Sequence, residues 1–147
     1  MALVSTASTH WEGDLATGSG TTTMGSGAAG PMPVTWKART EEHGGLTSPE
    51  ELIAAALTSC FSMALSSALA KAGTPPRSLD TEAVATFDKT ESGWRLITMA
   101  LKVRGAVPGT DQAAFAVAAE GAKDGCPVSQ ALRGNVEITV AAELMVS

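Results

Sequence analysis

The feature that most constrains the fold of this chain is a stretch of nineteen residues, Leu52–Ala70, that contains no charged side chain. Before it, Ser48–Glu51 reads Ser-Pro-Glu-Glu, which supplies an N-cap hydroxyl, a proline at the first helical position and the glutamate of a capping box. After it, Gly73–Pro76 contains a glycine stop signal followed by two prolines. These signals predict one helix over Pro49–Ala72, roughly 36 Å long at 1.5 Å per residue.

The length of this apolar stretch raises the question of a membrane span, which needs about 20 apolar residues. The stretch contains several serine, threonine and cysteine residues and lacks aromatic or basic anchors at its ends. We therefore expect a buried helix, apolar on all sides, in the middle of a soluble protein with no membrane partner. Met1–Asp14 has no basic region ahead of an apolar run, so we expect no secretory signal and a cytoplasmic location.

Charge and composition exclude further classes of protein. The net charge is −5, so the positive field that dominates nucleic-acid binding is missing and no nucleic-acid partner is expected. The length of 147 residues suits a single domain over residues 1–147. Of these residues 26 are alanine and 15 are glycine, so much of the apolar content is small and adds little area per residue, which favours a core completed by a partner chain.

The remaining pattern predicts an α+β domain. In the first third we expect two strands, Thr9–Asp14 and Leu15–Met24, joined at Gly13-Asp14, then a loop over Gly25–Pro33, a strand over Val34–Thr40 and a polar loop over Glu41–Thr47. After the long helix, alternating apolar and polar residues predict a hairpin of Leu79–Phe87 with Ile97–Val103 that turns near Ser92-Gly93. The last elements are expected to be a helix over Asp111–Lys123 closed by Gly125, a short helix over Cys126–Leu132 and a strand over Val136–Val146.

The two cysteines are the candidate chemical groups. Cys60 lies in the middle of the long helix, where the helix dipole no longer acts, so a reactive thiolate there would need another cation. Cys126 directly precedes a proline that begins a helix, so its sulfur is near unpaired backbone N–H groups. The alternative is that Cys60 is a small buried hydrophobe. With only two cysteines and two histidines in no recognised spacing, we expect no metal.

Two segments resemble a known family. Ser48–Leu65 reads SPEELIAAALTSCFSMAL and Gly125–Leu132 reads GCPVSQAL, and together they closely resemble the osmotically inducible protein C and organic hydroperoxide resistance (OsmC/Ohr) family. The likeness extends to His10–Asp14, to Arg39 and to Ala106–Asp111, so it covers nearly the whole chain as a single OsmC-like domain. The N-terminal His-Trp-Glu-Gly is more similar to the OsmC branch than to the Ohr branch.

The resemblance implies a cysteine-dependent peroxidase without metal, haem or flavin cofactors. It implies an intertwined homodimer with antiparallel sheets packed around long central helices. By the same resemblance Cys60 is the peroxidatic thiol, Cys126 the resolving thiol, and Arg39 with Glu50 the charged partners of the site. Without it, Glu50 would be read as a residue that favours the helix N-terminus, and Arg39 as a solvated strand residue.

Thiol chemistry gives the expected mechanism. A Cys60 thiolate attacks the hydroperoxide, leaving a sulfenic acid that Cys126 converts to a disulfide. An external dithiol then reduces the disulfide, and the resemblance suggests a lipoyl-type reductant. Arg39 would stabilise the thiolate and the leaving oxygen, with Glu50 orienting its guanidinium.

Helical spacing adds a hypothesis about subunits. Glu50 and Cys60 are ten residues apart, which is roughly 15 Å along one helix and about 80° around it, so one arginine cannot easily touch both. We therefore expect composite sites, in which Arg39 and Glu50 of one subunit serve Cys60 of the other. Because the helix around Cys60 is apolar, organic hydroperoxides should react faster than hydrogen peroxide, in oxidative or osmotic stress defence. The alternative is a non-catalytic, stress-induced dimer that binds a small apolar ligand.

Overall fold

The computed structural model describes residues 1–146, which form two compact units that divide between Leu52 and Ile53. Each unit contains one three-stranded sheet. The elements in chain order are β1 (Ala7–Glu12), β2 (Ser19–Met24), β3 (Met32–Val34), α1 (Trp36–Thr40), α2 (Pro49–Lys71), β4 (Ser78–Thr90), β5 (Gly93–Ala106), α3 (Gln112–Gly125), α4 (Pro127–Leu132) and β6 (Glu137–Leu144). The predicted α+β class is confirmed.

The sheet of the first unit is antiparallel with the order β1-β2-β3. The predicted hairpin of β1 and β2 is present, but its turn is longer than Gly13-Asp14. The Asp14 carboxylate accepts hydrogen bonds of 2.8 Å from both the backbone N–H and the hydroxyl of Thr17. The Gly18 N–H also donates to the Asp14 carbonyl at 2.9 Å. This local network holds the segment after Asp14 as a turn, so the second strand begins only at Ser19.

The predicted strand over Val34–Thr40 is wrong beyond its first residue. β3 ends at Val34, and α1 follows it directly. Thr35 is extended and its hydroxyl accepts from the Ala38 N–H at 3.1 Å, which is an N-cap. The β-forming composition of the segment predicts a strand, but this cap determines the local structure. The predicted loop before it also ends early, since β3 begins at Met32.

Helix α2 is confirmed: it begins at Pro49 as predicted and ends at Lys71, one residue before the predicted end. The Ser48 hydroxyl accepts from the Glu51 N–H at 3.1 Å. At the other end Gly73 has a φ of 85°. Its N–H donates to Ala70 at 3.0 Å, and the Thr74 N–H donates to the Leu69 carbonyl at 2.9 Å. These two bonds are a Schellman motif, which requires the left-handed conformation that glycine adopts without strain.

Within the single chain, α2 is buried on one face only and not on all sides. Its buried face consists of side chains four residues apart, Leu57, Phe61, Leu65 and Leu69. The opposite face is exposed, and Met63 retains 73% of its accessible area. The second unit covers one face of α2, which leaves the other apolar face open. By length and composition α2 could cross a membrane, a property that core helices of soluble proteins share.

The sheet of the second unit has the order β4-β5-β6. The predicted hairpin is confirmed, with β4 and β5 antiparallel from Ser78↔Ala106 to Thr90↔Gly93. The final strand is also confirmed over Glu137–Leu144, but it lies parallel to β5. The expectation of antiparallel sheets therefore does not hold for β6. The connection from β5 passes through α3 and α4, and such a crossover returns the chain in its original direction.

The core of the second unit places the two cysteines together. The buried face of α2 packs with the inner face of the sheet and with α3, in a cluster that includes Phe61, Met99, Phe115 and Cys126. Phe115 approaches the sheet so closely that a Cβ at Gly105 would lie 2.5 Å from its Cζ. The predicted helix over Asp111–Lys123 is confirmed as α3, which runs on to Gly125.

Candidate active site

Cys60 and Cys126 meet in the second unit. Cys60 is half-buried on α2, Cys126 is fully buried at the junction of α3 and α4, and both are free thiols. Each thiol lies close enough to the other to shift its pKa. Their separation in sequence did not predict this contact, which only the family resemblance implied. It is the arrangement that a sulfenic acid on one cysteine needs in order to form a disulfide with the other.

The backbone around Cys126 is held from both sides. Cys126 ends α3 and begins α4, and its φ and ψ are −61° and 125°. Its N–H donates to the Ala122 carbonyl at 2.9 Å, and its carbonyl accepts from Gln130 at 3.0 Å. Pro127 occupies the first turn of α4, as the sequence predicted. The sulfur is therefore anchored by two helices.

The pKa values of the two thiols are shifted in opposite directions. Burial raises the pKa of Cys60, and the hydrogen bond that its S–H donates to Cys126 raises it further. Burial also acts to raise the pKa of Cys126, but hydrogen bonds from Cys60 and from the N–H groups of Ser129 and Val128 outweigh it. The pKa of Cys126 is therefore lowered. In the reduced pair the negative charge is more stable on Cys126 than on Cys60.

Arg39 and Glu50 form a second pair, in the first unit. The Arg39 Nε donates to both carboxylate oxygens of Glu50 at 2.9 and 3.1 Å, and Nη2 donates to Oε1 at 2.7 Å. The Glu50 side chain is only 8% exposed and that of Arg39 is 31% exposed. The Arg39 Cζ also lies 5.7 Å from the centroid of the Trp36 ring. These contacts orient the guanidinium as a fixed fork.

An apolar cavity of about 330 Å³ in the first unit adjoins Arg39. Its wall includes Trp11, Leu15, Trp36 and Leu52 beside Arg39. The volume lies within the range of small-molecule sites, which are mostly apolar with a few polar groups. Sequence reasoning missed this cavity. The available signal is that the first third contains two of the three tryptophans, but the β-forming residues around Trp36 predict a strand and not the helix that places it here.

The structure thus gathers the four predicted site residues into two pairs. Cys60 contacts Cys126 within the second unit, and Arg39 contacts Glu50 within the first unit. Glu50 and Cys60 belong to the same continuous helix, as predicted. Within residues 1–146 no group of three or more His, Cys, Asp or Glu side chains is placed to hold a metal ion.

Comparison with known proteins identifies the family. Residues 42–141 match the family described as OsmC-like protein. The chain is 45% identical over 129 residues to "Peroxiredoxin OsmC" of Escherichia coli, covering 88% of this chain and 90% of that protein. This chain belongs to the OsmC-like family. It is a soluble, cysteine-based peroxidase, and the family that the sequence motifs predict is confirmed.

Solved structures show that this OsmC-like protein shares the family fold. An organic hydroperoxide resistance protein OsmC from Legionella pneumophila superposes with a TM-score of 0.75 at 21% identity, covering 97% of this chain and 98% of that one. The organic hydroperoxide resistance protein OhrB of Bacillus subtilis superposes with a TM-score of 0.70 at 24% identity, covering 95% and 98%. A hydroperoxide resistance protein from Vibrio cholerae, with captopril bound in an active site, gives 0.74 at 19% identity, covering 97% and 94%.

The opposite shifts of the two thiols predict a titration that depends on their contact. In the reduced protein, one thiolate should form at lower pH than an ordinary cysteine and the other at higher pH. Cys60→Ala removes a hydrogen-bond donor from Cys126, so the pKa of Cys126 should rise. Cys126→Ala removes the acceptor and the negative charge, so the pKa of Cys60 should fall. Ultraviolet absorbance of the thiolates measures both pKa values. An unchanged titration midpoint of Cys126 in Cys60→Ala would contradict the contact between the two thiols.

Proposed function

We propose that this protein reduces organic hydroperoxides through Cys60 and Cys126, in oxidative and osmotic stress defence in the cytoplasm. The observation that carries the proposal is the contact between the two thiols, one half-buried and the other fully buried. Two structural cysteines have no need to meet, whereas a peroxidatic and a resolving cysteine must. A non-catalytic dimer that binds a small apolar ligand would leave this contact unexplained.

The reaction proceeds in two steps that need no bound cofactor. The Cys60 thiolate attacks the terminal oxygen of the hydroperoxide, the O–O bond breaks, and the alcohol leaves after taking up a proton. Cys126 then loses its proton and attacks the Cys60 sulfenic acid, the S–S bond forms as the S–O bond breaks, and the departing hydroxide takes up that proton and leaves as water. An external dithiol, which we propose to be of lipoyl type, reduces the disulfide by thiol exchange.

The first step needs the negative charge on Cys60, whereas the reduced pair favours it on Cys126. A cation beside Cys60 would shift the charge toward Cys60, because a positive charge stabilises the thiolate. We assign this role to Arg39, whose guanidinium is held by Glu50. The same guanidinium would bind the peroxide oxygens and stabilise the charge that develops as the O–O bond breaks.

We propose that Arg39 and Glu50 act across a homodimer, on Cys60 of the partner subunit. Two surfaces of the single chain support a partner: the exposed apolar face of α2, with Met63 at 73% accessibility, and strand β1, in which every residue is exposed. A large exposed apolar face, such as that of α2, usually marks an interaction site. The intertwined arrangement that the family resemblance implies would cover both surfaces.

The apolar cavity beside Arg39 supports organic substrates over hydrogen peroxide. Arg39 on its wall would bind the peroxide group, while Trp11, Leu15 and Leu52 would contact a hydrocarbon tail. Hydrogen peroxide has no hydrocarbon tail, so it would gain no binding energy from contact with this wall. Binding energy from a part of the substrate away from the reacting atoms is one way in which enzymes raise kcat/KM.

The first test separates the roles of the two cysteines. Cys60→Ser should abolish hydroperoxide reduction, because no sulfenic acid can form. Cys126→Ser should consume about one equivalent of hydroperoxide and then stop at the sulfenic acid, or oxidise further in excess peroxide. Dimedone labelling and intact mass identify the product. Repeated turnover by Cys60→Ser, or failure of Cys126→Ser to react once, would reverse or remove the assignment.

The second test concerns substrate preference. Wild-type protein should react faster with cumene hydroperoxide than with hydrogen peroxide. Trp11→Ala should lower kcat/KM for cumene hydroperoxide about tenfold, the size expected when an aromatic contact is lost, and leave the rate with hydrogen peroxide unchanged. Trp94→Ala is the matched control, since this exposed tryptophan stacks on Phe87 in the other unit. Equal wild-type rates, or equal losses with both peroxides, would contradict the cavity assignment.

The third test asks whether the site is composite. Arg39→Ala and Cys60→Ser should each be inactive alone. When the two variants are unfolded together and refolded, a mixed dimer with sites formed in trans contains one complete site, so about a quarter of all sites should regain activity. Sites formed within one chain would gain none. Mixing Cys60→Ser with Cys60→Ala is the control and should remain inactive.

A further inference from the structure

Ser129 has a buried hydroxyl group that forms no hydrogen bond in the resting fold. The residue is 3% exposed, and its Oγ is the one buried side-chain nitrogen or oxygen within residues 1–146 that has no hydrogen-bond partner. A buried hydroxyl without a partner destabilises a fold, and such groups are few in native proteins. An unsatisfied group of this kind indicates a partner that forms in another state of the molecule.

The position of Ser129 points to the Cys126 sulfur as that partner. Cys126 is the N-cap of α4, and Ser129 is the third residue after it, the position from which a side chain reaches back toward the cap. A neutral thiol is a weak acceptor, which agrees with the lack of a hydrogen bond in the resting state. A thiolate accepts a charge-assisted bond, and the Ser129 hydroxyl is close enough to lower the pKa of Cys126.

The charged groups around Ser129 are already engaged elsewhere. A small cavity of about 140 Å³ borders Ser129 and is lined by Lys123, Asp124 and Arg133, with uncharged Val136 and Ile138 at the start of β6. The Lys123 ammonium lies 2.8 Å from a Glu120 carboxylate oxygen and 3.7 Å from one of Asp124. The Arg133 guanidinium donates to the Asp124 carbonyl at 2.6 Å. The titratable group of α2 that interacts with Cys126 is Cys60.

We propose that Ser129 is a positioning residue for the resolving step, donating a hydrogen bond to Cys126 Sγ whenever that sulfur is a thiolate. The inference rests on the proposed role of Cys126 as the resolving cysteine. Because the bond forms only with the charged sulfur, the hydroxyl is left without a partner in the resting state. Nothing in the family comparison requires this role of the serine.

The hydroxyl would act at two points of the cycle. When Cys126 attacks the Cys60 sulfenic acid, an S–S bond forms, the S–O bond breaks, and the departing hydroxide takes up the proton released from the Cys126 thiol as water. When an external dithiol attacks Cys60 of the disulfide, the S–S bond breaks and Cys126 leaves as a thiolate. In both steps Ser129 stabilises charge on Cys126 without transferring its own proton.

The test compares Ser129→Ala with wild type and with Ser129→Thr, which keeps a hydroxyl. Ser129→Ala should form the Cys60 sulfenic acid at the wild-type rate and form the disulfide about tenfold more slowly at neutral pH, the loss expected for one charge-assisted bond. Its pH profile for disulfide formation should shift to higher pH. Ser129→Thr should restore the profile. Rapid quenching with a thiol-blocking reagent followed by intact mass measures both steps.

Measurements of thermal stability distinguish the positioning role of Ser129 from a packing role. Removal of an unsatisfied hydroxyl should leave the thermal midpoint of Ser129→Ala unchanged or raised. Ser62→Ala is the control, because it removes a hydroxyl bonded to Thr81 at 2.8 Å and should lower the midpoint without moving the Cys126 titration. Disulfide formation at the wild-type rate and pH in Ser129→Ala, or equal slowing of the sulfenic acid step, would overturn the proposal.

A second readout is independent of peroxide chemistry. Thiolate absorbance of Cys126 is titrated in the Cys60→Ser background, with and without Ser129→Ala. The alanine should move the midpoint to higher pH. If the proposed peroxidase cycle fails but this midpoint still moves, the role of Ser129 in stabilising the thiolate stands without the cycle. An unmoved midpoint overturns the role of Ser129 whatever the peroxide assays show.

Discussion

The contact between Cys60 and Cys126 is the interaction on which the rest of the site depends. It exists because the buried face of α2, with Phe61 next to Cys60, packs into the same core that holds the junction of α3 and α4. Each sulfur changes the acidity of the other, so neither can be assigned a role alone. A core built for stability alone would have no reason to place two free thiols in contact at this point.

The pKa values of Cys60 and Cys126 define the charge stabilisation that the remaining site residues must supply. Of the two thiols, the buried Cys126 ionises more readily, which suits a resolving thiolate and a good leaving group. Attack on peroxide instead requires charge on the more accessible Cys60. Arg39, oriented by the nearly buried Glu50, provides a fixed positive charge for that purpose in the proposed dimer. The cavity beside Arg39 would then select substrates with apolar tails.

Sequence predicted the elements whose signals are local and missed those that depend on tertiary structure. The cap at Ser48 and the glycine at Gly73 fixed both ends of α2, because capping depends on neighbouring residues. The sequence of helix α1 predicts a strand, since its β-branched and aromatic residues outweigh the single Thr35 cap in the pattern. The parallel pairing of β6 and the contact of two distant thiols depend on the path of the whole chain. The resemblance alone brought the four site residues together before the structure placed them in pairs.

The most direct measurement follows reduced wild-type protein after mixing with one equivalent of an organic hydroperoxide. Intact mass, free-thiol count and remaining peroxide are recorded on the same sample. The account predicts that the peroxide disappears as both thiols are lost and that the mass falls by that of H₂, with a Cys60–Cys126 peptide link after digestion. Thiols that survive while the peroxide persists would contradict it, and the contact between Cys60 and Cys126 would then be packing.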